Sequence, residues 1–187
     1  MMRMVRWAAL VSALLVCHAT DARAQMSFES FRGYLTGHIG STLGGDVSSA
    51  RVTGGGSVSV QEATGWGAEF DFGRATKVDV DAQPLALTTY MVNMAYISPV
   101  GHIRPFAIAG GGVYQADGCA CAQPSKTYDL GLNGGGGVFF LANDVIGFRA
   151  DARYFWSAGD HPELNRPDHL NHWRLTVGFT YLWTIAP

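Results

Sequence analysis

The segment His172–Trp183, with the sequence HWRLTVGFTYLW, alternates between two kinds of side chain. Every second residue from Trp173 to Trp183 is apolar and mostly aromatic, whereas the positions between them begin with Arg174 and are mostly small or polar. A period of two places these two sets on opposite faces of a β-strand. The fold therefore depends on which of the two faces points into the protein.

The first residues of the chain have the pattern of a cleaved secretory signal peptide. Arg3 and Arg6 precede an apolar run over residues 7–16, and small residues follow at the expected cleavage spacing. A transmembrane helix requires about 20 apolar residues, and this run is shorter. We expect residues 1–24 to be removed and residues 25–187 to form one exported domain.

The remaining sequence predicts eight β-strands and no helix. Glycine and proline separate the candidate strands, which are residues 33–41, 53–61, 66–74, 88–97, 104–114, 129–140, 146–155 and 172–183. The connections 42–52, 75–87, 115–128 and 156–171 are long, and 62–65, 98–103 and 141–145 are short. Short turns that alternate with long loops are typical of membrane barrels. The predicted fold is all-β, an eight-stranded antiparallel up-and-down transmembrane β-barrel.

The composition fits this fold and argues against a nucleic-acid partner. The chain contains 24 glycines, many of them in the clusters Gly54–Gly56, Gly110–Gly112 and Gly134–Gly137. Glycine within strands permits sharp curvature and close approach of neighbouring backbones. The formal net charge is −2 and the sequence has no basic stripe, so binding to nucleic acid is not predicted.

Energetics predict which strand face is the interior. One set of faces carries the charged residues Glu69, Asp71, Arg149, Asp151, Arg153 and Arg174. The other set is assigned the aromatic residues Trp66, Phe70, Phe72, Tyr90, Tyr96, Phe106, Phe148, Tyr154, Trp173, Phe179, Tyr181 and Trp183. An eight-stranded barrel has internal space only for closely packed side chains, and an arginine facing lipid at mid-bilayer costs about 2–4 kcal/mol. We therefore expect the aromatic residues to face lipid and the charged residues to form a paired internal network.

The sequence resembles the small outer-membrane β-barrel proteins of the OmpA-transmembrane-domain and OmpX type. The resemblance rests on the signal peptide, the eight alternating strands, and the segments GWGAEFDFG (65–73), GFRADARYF (147–155) and RLTVGFTYLW (174–183). It implies an outer-membrane location with both termini in the periplasm. It also implies that the barrel-assembly machinery recognises the aromatic end of the last strand, here Phe179, Tyr181 and Trp183. This chain departs from the pattern because it continues through residues 184–187.

The function expected from these features is structural or interactive, without a cofactor and without enzymatic activity. The charged interior closes the barrel as a plug, and outer-membrane lipid or lipopolysaccharide surrounds it. The loops 42–52, 75–87, 115–128 and 156–171 would contact an extracellular or envelope protein. Three alternatives remain open: a lipid-modifying hydrolase that uses His172 with Ser157 and Asp160, a narrow channel, and a soluble periplasmic barrel that binds a hydrophobic ligand.

Two groups of residues in or beside the long connections are candidates for other chemistry. His161, His169 and His172 are accompanied by carboxylates, a donor set that suits a transition metal, but their spacing matches no compact zinc motif. A metal site is therefore not predicted. Cys119 and Cys121 could form a disulfide in an exported protein, although the ring would be very small and strained.

Overall fold

Eight antiparallel strands form a closed barrel in the computed structural model of this protein, which describes residues 31–80, 83–120, 123–157 and 170–185. The strands are β1 (Phe31–Gly44), β2 (Val47–Gln61), β3 (Trp66–Val80), β4 (Gln83–Ile97), β5 (Ile103–Ala120), β6 (Gln123–Leu141), β7 (Ile146–Ser157) and β8 (His172–Ile185). Each strand pairs with its neighbours in sequence, and β8 pairs with β1 to close the barrel. The predicted fold class is confirmed. Within the described residues, no helix is long and apolar enough to cross a membrane.

The three short connections lie together at one end of the barrel, which we call the short-turn end. They are residues 62–65, 98–102 and 142–145, close to their predicted positions. The first and last described residues lie at the same end, because Phe31 pairs with Ile185. Gly65 and Gly101 have φ values of 101° and 86°, which glycine adopts without a steric penalty. These residues therefore allow two of the tight turns.

At the opposite end, which we call the distal end, the strands are longer than predicted. The prediction of long loops at 42–52, 75–87 and 115–128 is wrong, because most of these residues belong to paired strands. The connection from β1 to β2 is the tight turn Gly45–Asp46. The sequence signal depends on alternating apolar side chains, whereas backbone pairing continues beyond the apolar part of each strand. Most of the fourth predicted loop, residues 158–169, lies outside the described residues.

The outer surface of the barrel is apolar over most of its height. Large apolar side chains at outward positions are exposed, including Ile39, Val58, Phe70, Val92, Met94, Leu132, Leu175, Val177, Trp66, Trp156 and Trp173. Distal to this surface, the outward positions become polar: Arg74 lies 3.9 Å from the carboxylate of Asp117, and Gln115 donates a hydrogen bond to the same carboxylate. The apolar surface is therefore a band that ends at this polar cluster.

Several inward-facing glycines allow neighbouring strands to approach closely. A Cβ atom at Gly137 in β6 would lie 2.1 Å from the carbonyl oxygen of Ala150 and 2.8 Å from the Cα atom of Asp151, both in β7. Backbone atoms of a paired strand cannot move away without breaking the ladder. The absence of a side chain at this position is consequently a requirement of the barrel wall.

We expect Gly137→Val to destabilise the barrel by at least about 1–3 kcal/mol, because the added side chain overlaps the backbone of β7. The measurement is the fraction of refolded protein that migrates as a folded band on an unheated SDS gel. Gly134→Val is the matched control, since a Cβ atom at this outward-facing glycine would be 3.9 Å from its nearest neighbour, the carbonyl oxygen of Ile108. Equal folding of both variants would contradict the prediction.

Candidate functional site: a layered barrel interior

Six charged side chains occupy the middle of the barrel interior, and we call them the ionic layer. They are Glu69, Asp71, Arg149, Asp151, Arg153 and Arg174. They come from β3, β7 and β8, on which inward positions recur at every second residue. Each of these side chains is at most 2% exposed. Three positive and three negative side chains therefore share one buried volume without a net charge.

The ionic layer is a continuous network of ion pairs. Arg153 is its central residue, with Nη1 at 2.9 Å from Glu69 Oε1 and 3.4 Å from Asp71 Oδ2, and Nη2 at 3.2 Å from Asp151 Oδ2. Arg149 bridges Glu69 and Asp151, at 2.5 and 2.9 Å. Arg174 donates from Nη2 to Asp71 Oδ1 at 2.6 Å. Every charge consequently has an opposite charge in contact, as buried charges require.

Neutral polar side chains donate further hydrogen bonds to two of the carboxylates, those of Glu69 and Asp151. Ser59 donates to Glu69 at 3.3 Å, and Asn93 donates from Nδ2 to the other oxygen of Glu69 at 3.3 Å. Thr176 donates to Asp151 Oδ1 at 3.0 Å. These donors come from β2, β4 and β8, so the network connects strands around the barrel.

An apolar cluster, which we call the short-turn cap, fills the interior between the ionic layer and the short-turn end. Its residues are Tyr34, Ala95, Ile97, Phe106, Ile108, Phe139 and Leu182. Arg104 donates from Nη1 to the Tyr34 hydroxyl at 3.2 Å, and that hydroxyl donates to Gln61 Oε1 at 2.5 Å. Gln61 in turn donates from Nε2 to the carbonyl oxygen of Ile97 at 2.6 Å. This chain of hydrogen bonds crosses the interior and fixes the cap in place.

A second apolar cluster, which we call the distal cap, fills the interior beyond the ionic layer at the other end. Its residues are Val47, Ala75, Val78, Leu87, Met91, Tyr114 and Phe155, and Leu170 packs against them. The segment that carries Leu170 is held by two hydrogen bonds: Asn171 N donates to Asp46 Oδ2 at 2.7 Å, and Asp46 N donates to the carbonyl oxygen of Asn171 at 2.9 Å. These hydrogen bonds therefore hold Leu170 against the distal cap.

Arginine–aromatic contacts join the ionic layer to both caps. The Arg149 guanidinium lies 4.4 Å from the ring centroid of Phe106 and 5.0 Å from that of Phe139, in the short-turn cap. The Arg174 guanidinium lies 4.7 Å from the ring centroid of Phe155, in the distal cap. A cation over an aromatic face is favourable, by about 2 kcal/mol or more when both groups are desolvated. The three layers therefore pack directly against one another.

The assignment of Phe106 to the outer surface is wrong. The interior also holds more aromatic rings than expected from the small internal space of an eight-stranded barrel. Phe106 is 7% exposed and faces inward, as do the rings of both caps. The interior accommodates them because many inward positions are glycine. At Gly131, for example, a Cβ atom would lie 1.9 Å from the Tyr114 ring. Glycine thus provides the space that large side chains on neighbouring strands fill.

The aromatic residues at the end of β8 face outward. Phe179 and Tyr181 are exposed. The ring of Trp183 covers Gly33 of β1, where a Cβ atom would lie 2.0 Å from the indole. Trp183 therefore packs across the β1–β8 pairing that closes the barrel.

Of the candidate metal and nucleophile residues, only His172 and Ser157 have described side chains. Both are buried, and His172 stacks on Phe155 with ring centroids 5.0 Å apart. His161, His169, Asp160 and Cys121 lie outside the described residues, and for Cys119 only its place in β5 is described. No cluster of three metal-ligating side chains occurs in the described ranges.

The sequence matches no protein-family model and no curated protein. Solved structures with a similar fold include Neisserial surface protein A (NspA), with a TM-score of 0.64 and 12% identity over 82% of this chain and 98% of that one. The N-terminal β-barrel domain of Pseudomonas aeruginosa OprF has a TM-score of 0.57 and 13% identity over 82% and 97% of the two chains. Ail, the attachment invasion locus protein of Yersinia pestis, has a TM-score of 0.55 and 16% identity over 83% and 99%.

These comparisons establish the fold. The chain has the architecture of the small eight-stranded outer-membrane barrels, and nearly the whole length of each of these solved chains is covered. At this level of identity, the activities and partners of these proteins do not transfer to this chain.

Proposed function

We propose that this protein is an integral outer-membrane β-barrel with a closed interior and a structural or surface-interaction role. The observation that carries the proposal is the apolar outward band around a buried ionic layer in which every charge contacts an opposite charge. In water, an apolar surface of this extent would favour aggregation. In a bilayer, it is the surface that hydrocarbon requires, and a closed barrel leaves no strand edge unpaired.

The two ends of the barrel support an orientation. The short turns and the first and last described residues lie at one end, as expected for the periplasmic side of such barrels. The distal ends of the strands would then project outside the cell. There the extended hairpins, which include 42–52, 75–87 and 115–128, together with 156–171, offer a surface for lipopolysaccharide or for an extracellular or envelope protein. The outward residues Phe179, Tyr181 and Trp183 are proposed as the signal for the barrel-assembly machinery.

The lipid hydrolase alternative has little support from the position of His172. Its side chain is 1% exposed and stacks inside the distal cap, where an acyl ester in the membrane would not reach it. A general base must come within hydrogen-bonding distance of the group it deprotonates. We therefore propose a role without enzymatic activity, and unchanged lipid A in cells that express the protein is the result expected from mass spectrometry.

The narrow-channel alternative is opposed by the two caps. We expect purified protein reconstituted in planar lipid bilayers to add no ion conductance, because ions would have to cross two buried apolar clusters and the ionic layer. The measurement is single-channel recording, with an open porin as the positive control. Reproducible conductance steps from the folded protein would contradict a closed interior.

A further inference from the structure

A small buried cavity lies between the ionic layer and the distal cap. Its volume is about 10 Å³, and it is lined by Thr42, Thr53, Gly73, Thr89, His172 and Arg174, among others. These residues come from the five adjacent strands β8, β1, β2, β3 and β4, so the cavity lies against one side of the barrel wall.

Two buried side chains at this cavity have polar atoms without a hydrogen-bond partner among the described residues. They are His172, at Nδ1, and Arg174, at Nε and Nη1. The two residues are 1% and 2% exposed. An unpaired buried polar group costs about 1–3 kcal/mol, and buried polar groups in native proteins are nearly always paired with protein or with ordered water. The cavity lining therefore indicates a polar occupant.

The threonines at the cavity can serve as acceptors. Thr89 donates its hydroxyl hydrogen to the carbonyl oxygen of Gly73 at 3.4 Å, and Thr53 donates to the carbonyl oxygen of Arg74 at 3.2 Å. Their hydroxyl oxygens keep free lone pairs. Gly73 makes room for the Arg174 guanidinium at the cavity, since a Cβ atom there would lie 2.3 Å from Arg174 Nη1 and 3.0 Å from Thr89 Oγ1.

We propose that this cavity is a binding site for one ordered water molecule. The water accepts a hydrogen bond from Arg174 Nη1 and donates to His172 Nδ1 and to a threonine oxygen. A water molecule needs a cavity of roughly 10–15 Å³ and two to four polar partners, and the site provides both. A halide ion, which the guanidinium would also attract, is larger than a water molecule, and the bromide experiment below distinguishes the two occupants.

The water gives Arg174 the partner that the ionic layer does not supply and keeps His172 in one tautomer. A hydrogen bond accepted at Nδ1 requires that the imidazole proton sits on Nε2. The inference rests on the closed interior of the proposed function, but it does not depend on the partners of the distal surface.

The test is a high-resolution crystal structure of the refolded protein grown in the presence of bromide. We expect one water-sized density peak within hydrogen-bonding distance of His172 Nδ1 and Arg174 Nη1, with no anomalous bromide signal. An empty cavity or a bromide peak would overturn the proposal. In solution, the ¹⁵N shift of Nδ1 should be that of an unprotonated, hydrogen-bonded nitrogen, and the shift of a protonated Nδ1 would also overturn it.

Matched variants separate the water site from the fold. Gly73→Ala should displace Arg174 Nη1 from the cavity, abolish the density peak and move the His172 Nδ1 shift. Gly134→Ala on the outer face should change neither the peak nor the shift. If Gly73→Ala does not fold, Thr89→Val removes one acceptor at nearly constant volume and should move the same shift. A protein that conducts no ions but has an empty cavity would overturn the water site alone, whereas one that conducts ions would overturn the closed interior.

Discussion

Arg153→Met should lower the free energy of unfolding by about 3–5 kcal/mol, because it leaves carboxylates in the interior without their central cation. Arg153 contacts Glu69, Asp71 and Asp151, and its side chain is 1% exposed. Methionine keeps much of the side-chain volume, so the loss is mainly electrostatic. The measurement is equilibrium unfolding in urea of protein folded into lipid vesicles, followed by tryptophan fluorescence.

Two further variants identify the cause of this effect. Arg74→Met removes an arginine that is 50% exposed and lies 3.9 Å from its carboxylate, so its expected cost is about 0–1 kcal/mol. Arg153→Met combined with Asp151→Asn restores charge balance and should recover part of the lost stability. If Arg153→Met cost no more stability than Arg74→Met, the pairing within the ionic layer would not stabilise the fold.

Val92→Arg should destabilise the protein by about 2–4 kcal/mol, because it places a charge on the lipid-facing band near its middle. Val92 is 64% exposed in β4, between Phe70 and Gly111 on the neighbouring strands. The same substitution at an exposed position of a water-soluble protein would change stability by no more than about 0.5 kcal/mol. Unfolding in vesicles gives the value directly.

Val52→Arg is the matched control for this prediction. Val52 is 67% exposed. It lies two residues before Gly54, and Gly54 pairs with Arg74 of the distal polar cluster. Near the edge of the membrane, the cost of an arginine falls to about 0–1 kcal/mol. Equal effects at Val92 and Val52 would show that burial in hydrocarbon does not distinguish the two positions.

The alternation in sequence was sufficient to predict most strand faces, because polar and apolar residues differ clearly along most strands. In β4, Tyr90 is exposed, as predicted, together with Val92, while the alternate residues Thr89 and Asn93 are buried. In β1 the two faces are too similar in polarity for such a prediction. There the structure places Tyr34 and His38 inside and Leu35 outside.

The two caps are not predicted from the sequence, because Phe106 is assigned to the lipid-facing set and Phe155 to neither face. The spacing of residues within each strand predicts the faces of these rings correctly. Phe155 is two residues from Arg153, and Phe106 is two residues from Arg104, so each shares the face of a charged residue. A rule based on position in the strand would have placed both rings inside.

The pairing within the ionic layer could not be derived from the sequence. Arg153 of β7 meets Glu69 of β3, and these strands are not neighbours in the barrel. Their relative height depends on the stagger of every strand between them, which period-two patterns do not specify. The sequence indicated only that these residues occupy inward faces.

The most direct test of the membrane placement is quenching of tryptophan fluorescence by lipids with brominated acyl chains. Trp66, Trp156 and Trp173 are exposed on the outer surface, and Trp183 lies over Gly33 on the same surface. After folding into such vesicles, the protein should lose most of its tryptophan fluorescence, while a water-soluble quencher should have little effect. Recovery of the protein as a detergent-free, water-soluble monomer whose tryptophans do not respond to brominated lipid would contradict the account.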